Sequence, residues 1–110
     1  SALTPAHLAA ANVPDDTPIA TTEGLREFSR AILGNEPELD ITLAERDNIE
    51  AAHQLARQPD VGAIILECTN MAPYAAAISA ATGLPVFSAY NFICWFQSGL
   101  MPAPFTGEIK

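Results

Sequence analysis

Positive charge is scarce in this chain. Five Lys and Arg residues stand against thirteen Asp and Glu, a formal net charge of −8 over 110 residues. Such a balance leaves no basic patch for a phosphate backbone or an anionic lipid surface, so neither nucleic acid nor membrane is expected as a partner. Long apolar runs are also missing: none approaches the roughly 20 residues needed to cross a bilayer, and no signal-peptide pattern is present. Cysteine is limited to Cys68 and Cys94. They fall on different expected elements without dense spacing, which fits reduced thiols and a cytoplasmic location better than a disulfide framework. The glycine-rich pattern of a phosphate or dinucleotide loop is absent. His7 and His53 have no second ligand at metal spacing, so packing or surface roles are expected for both, with no metal and no cofactor.

The residues that are present read as alternating elements. At 110 residues the chain suits one modest core, hence a single domain over 1–110. Thr4 and Pro5 open a short helix to about Ala11, and two prolines and two aspartates make Val13 to Pro18 a loop. Pro18 to Thr22 is a weak strand candidate. Leu25, Phe28, Ile32 and Leu33 recur at helical spacing, and Gly34-Asn35 supplies a stop. From Thr42 to about Gln58 a longer helix turns Ile49, Ala52, His53 and Ala56 inward and Glu45, Arg46, Asp47 and Glu50 outward. Further strands are expected at Val61 to Leu66 and Leu84 to Ser88, and further helices at Tyr74 to Ala81 and Phe92 to Leu100. The expected fold class is therefore α/β: a parallel sheet of about three strands, near residues 18, 62 and 85, flanked by helices through right-handed crossovers. Within the last helix, Phe92-Ile93-Cys94-Trp95-Phe96 is an apolar run expected to bury Cys94.

The stretch best suited to chemistry is Val61 to Tyr74, VGAIILECTNMAPY. Val61, Ile64, Ile65 and Leu66 have the near-continuous apolar character of a parallel strand covered on both faces. Cys68 falls at the carboxyl end of that strand, Asn70 can cap the next helix, and Pro73 suits a first helical turn. Ligands of open α/β sheets sit beyond the carboxyl ends of strands, where a helix amino terminus offers free N–H groups to an anion. A cysteine here is equally at home as a small buried core residue. By strand alternation Glu67 points to the face opposite Cys68, which favours a structural hydrogen bond over a base role. Tyr90 and Asn91 come after the last strand and either line the same crevice or form a loop and a helix cap.

GAIILECTNMAPYAAAISAATGLPVF, from Gly62 to Phe87 with Glu67-Cys68-Thr69-Asn70-Met71 at its centre, resembles the carboxyl-terminal half of the aspartate/glutamate racemase superfamily, in particular its hydantoin-racemase-like branch. LTPAHLAAANVPDD, Leu3 to Asp16, and NFICWFQSGL, Asn91 to Leu100, extend the resemblance. It implies cofactor-independent proton transfer next to a carboxylate, with one cysteine on each face of the substrate. Cys68 matches the second of these cysteines, and Thr69 the residue whose N–H and hydroxyl would hold the substrate carboxylate. Asn70 stands where relatives often carry histidine or an acid. The family runs to roughly twice this length as two α/β lobes, so the chain is expected to be a fragment that needs a second lobe or self-association.

Two functions are consistent with these residues. One is a racemase-type isomerase lobe acting on a small amino-acid-like or hydantoin-like carboxylate or amide, with Cys68 as acid/base and Thr69 and Asn70 as substrate contacts. The other is a binding or assembly module whose crevice holds a small anion without chemistry.

Overall fold

The computed structural model describes residues 3–107. Its elements run α1 (Pro5–Ala10), α2 (Phe28–Leu33), α3 (Ile41–Ala56), β1 (Ile64–Ile65), a 3-10 helix (Thr69–Tyr74), α4 (Ala75–Thr82), β2 (Val86–Phe87) and α5 (Ala89–Leu100). Helix dominates. The only sheet among the described residues is a parallel pair, with Ile64 beside Val86 and Ile65 beside Phe87.

This corrects the three-strand expectation. The 18–22 segment forms no strand: Pro18 has no N–H to donate, and Thr22 turns inward to share a 2.7 Å hydrogen bond between its hydroxyl and that of Ser29. Nor is the remaining sheet covered on both faces. Ile64 and Leu66 are buried, whereas Ile65 is 78% exposed and Phe87 stands beside it, also exposed. Side chains alternate across a strand, so one face of the pair meets the core and the other is open.

The core gathers around the contact of α3 with α4. Phe28, Ala44, Ala52, Ile64, Leu66, Tyr74 and Ile78 form one cluster, with Ile32, Leu39, Ile49 and Leu55 packed around it. The apolar stripe of α3 is made largely of alanines, which lets the neighbouring elements approach closely. Phe28 and Tyr74 meet edge to face, with ring centroids 5.9 Å apart at 86°, a geometry aromatic pairs favour. Gly83 ends α4 in the left-handed conformation at φ 70, where a side chain would be strained. After α2 the same role passes to Asn35, at φ 50, rather than to Gly34.

One residue on α3 departs from its expected outward position. Asp47 is 1% exposed. Its carboxylate accepts from the backbone N–H of Arg26 at 3.2 Å, of Glu27 at 2.6 Å and of Phe28 at 2.9 Å. These are the orphan donors at the start of α2, whose own flank, Glu27, supplies no side-chain cap. A buried carboxylate is tolerable only with such partners. Glu27 serves as a second tie: it pairs with Arg30 at 2.7 Å and accepts from the Asp40 N–H at 3.0 Å. The Arg30 hydrogen bond, then that from Asp40, lowers the Glu27 carboxyl below its ordinary range.

No helix among the described residues is long and apolar enough to cross a membrane.

Candidate functional site

The parallel pair brings its two carboxyl ends together. Leu66 N–H donates to the Phe87 carbonyl at 2.8 Å, after which one chain segment continues through Cys68 into the 3-10 helix and the other through Ser88 into α5. Asn91 closes the start of α5, its Oδ1 accepting from Ser88 N–H at 3.1 Å and from the Ser88 hydroxyl at 3.0 Å. Between the 3-10 helix and α5 lies an open depression of about 450 Å³, walled by Thr69, Ala72 and Pro73 on one side and Ala89, Tyr90 and Ile93 on the other.

The wall is apolar apart from two hydroxyls, those of Thr69 and Tyr90, and carries no charged side chain. Cys68 immediately precedes it. The cysteine is half-buried, flanks the 3-10 helix with extended backbone, and its carbonyl accepts from Met71 N–H at 3.0 Å. Its side chain packs against the core cluster and lies outside the set of residues that wall the depression. Thr69 does wall it. Asn70 is exposed and takes no part in the wall. The capping position expected of Asn70 passes to Cys68, because the turn begins earlier, as a 3-10 helix at Thr69.

Tyr74, the last residue of the 3-10 helix, is buried against Phe28 and does not line the depression. Burial, and to a lesser degree the negative charge of Glu45, raises its hydroxyl above the ordinary tyrosine value, so it is neutral across the physiological range. Of the two residues after β2 that could have lined a crevice, Tyr90 does so and Asn91 is a cap. Ile93 was not legible as a wall residue. The available signal was its i, i+3 spacing from Tyr90 on a helix leaving a strand end.

Cys94 corrects another expectation. It is exposed, as is every residue from Tyr90 to Leu100, and α5 meets the 3-10 helix by its first turns. Among the described residues, no three His, Cys, Asp or Glu side chains converge as metal ligands. His7 instead accepts the Thr4 backbone N–H at Nδ1, 3.0 Å away, closing the start of α1.

No family model and no solved structure matches the chain. Over 79 residues, 71% of its length, it is 36% identical to a dimethylsulfoniopropionate lyase of Durusdinium sp. clade D. It spans about a quarter, 26%, of that relative. The expected racemase kinship, read from Gly62 to Phe87, Leu3 to Asp16 and Asn91 to Leu100, and with it the isomerase assignment, is thereby corrected: the similarity found is to a lyase.

Proposed function

We propose that the chain forms one wall of a lyase site acting on a small carboxylate, with dimethylsulfoniopropionate the first substrate to try. The observation that carries this reading is the depression at the carboxyl ends of the parallel pair, directly after Cys68, in a chain similar to a lyase of that substrate. The substrate joins a sulfonium to a carboxylate through two methylenes. In the elimination, Cys68 as thiolate accepts the proton from the carbon next to the carboxylate, that C–H electron pair becomes the new carbon–carbon double bond, and the carbon–sulfur bond breaks. Dimethyl sulfide leaves with the bonding pair and acrylate remains. The Thr69 hydroxyl donates to the carboxylate, where negative charge builds, and the Tyr90 ring offers its face to the sulfonium.

A binding role without chemistry is favoured by one observation: Cys68 packs on the core rather than in the wall. Dimethyl sulfide released from dimethylsulfoniopropionate, measured by gas chromatography alongside thermal denaturation with the same compound, separates the two. Release that falls about 100-fold or more in Cys68→Ser, with circular dichroism unchanged, is the expected result. Release that survives the substitution removes Cys68 from the chemistry. Stabilisation by the compound without release leaves the binding role, and neither effect overturns both.

A further inference from the structure

We propose that two copies of this chain associate through α5, packing their Phe92, Trp95 and Phe96 side chains against each other. The area is the first argument. The chain exposes 8161 Å², whereas a folded monomer of its 11.7 kDa mass exposes about 5,900 Å². The surplus of about 2,300 Å² exceeds the ~800 Å² per partner of a standard interface and is enough for an obligate one. The radius of gyration, 16.5 Å against about 13 Å for a compact chain of this length, points the same way.

Location is the second. Trp95 is 69% exposed and Phe92 66%, and Phe96, Ile93 and Leu100 are exposed with them. No residue of α5 is buried. A helix apolar around most of its circumference belongs in a core, and aromatic residues are enriched at the buried centres of protein interfaces.

Charge supplies the third and selects a second copy as occupant. The stretch from Cys68 to Gly107 contains no Asp, Glu, Lys or Arg. Residues 1–67 hold twelve acidic and four basic side chains, the whole net charge of −8, since Glu108 and Lys110 cancel. Two copies meeting at α5 therefore place no like charges in contact, and a neutral surface gives no electrostatic preference to a charged partner. The association itself stands whether or not the lyase chemistry does.

Trp95 is the sole tryptophan and reports directly. Sedimentation velocity on the 110-residue chain should give twice the 11.7 kDa mass, and dilution should shift tryptophan emission to the red as the pair separates. Phe92→Glu, at an exposed position that leaves the fold intact by circular dichroism, should give the monomer with red emission at every concentration. Alkylation of Cys94 should be slower in the wild-type pair than in this variant. A wild-type monomer at 100 µM overturns the proposal and hands α5 to a different covering segment. A dimer that survives Phe92→Glu, or open-ended oligomers, overturns it as well, since the contact then lies elsewhere or does not close.

Discussion

The two stretches that meet at Glu67 solve the problem of burial in opposite ways. Up to that residue the chain is charged and its irregular segments are tied by specific polar contacts: Asp47 to three backbone N–H groups, Glu27 to Arg30 and Asp40, Thr22 to Ser29. Beyond it lie forty residues without a charge, yet α5 buries nothing and its aromatic side chains face outward. Apolar composition thus does not by itself place a segment in the core: whether it is buried depends on which elements pack. Polar residues in the first stretch are the better buried because each has a partner, and no buried side-chain nitrogen or oxygen among the described residues lacks one.

The contrast can be sharpened by substitution. Ile78, 1% exposed, is the most deeply buried of the described residues in the charge-free stretch. Ile78→Ala should cost about 4 kcal/mol in urea denaturation, from lost burial plus the cavity left behind. Asp47→Ala, which leaves three donors at the start of α2 without their acceptor, should cost about 3 kcal/mol, and Asp47→Asn less, because the amide oxygen still accepts. If Asp47→Ala proved neutral, the polar anchoring of the first stretch would be decorative. The smallest effect concerns Tyr74. Its folded hydroxyl titrates above the unfolded value near 10, so the stability it contributes is fully present below that pH. That contribution is lost as pH rises through the folded value. Thermal denaturation against pH should show a decline above about 10 that disappears in Tyr74→Phe.

Helices were largely legible in the sequence. The inward positions Ala52 and Ile49 on α3, the start of α1 at Pro5 and the end of α4 at Gly83 result from periodicity, capping and conformational preference, all local properties. Asp47 was illegible because its oxygens serve donors about twenty residues away. The 18–22 strand was misread because extended backbone becomes a strand only when a neighbour pairs with it. At the candidate site, Cys68 and Thr69 emerge at the carboxyl end of a strand as their position implied, but only Thr69 reaches the wall. Cys94 shows the limit of an apolar neighbourhood in sequence: it describes what a helix presents, not what lies opposite it.

By itself the sequence determined the helical periods, the caps and the confinement of net charge to the first 67 residues. These depend on neighbours a few residues apart or on side-chain chemistry alone. Only the tertiary structure decided that one sheet face stays open, that a carboxylate on α3 holds α2 in place, and that the depression lies between the 3-10 helix and α5. Those outcomes depend on contacts between residues distant in the chain, whose formation reflects how much surface the assembled elements can bury together.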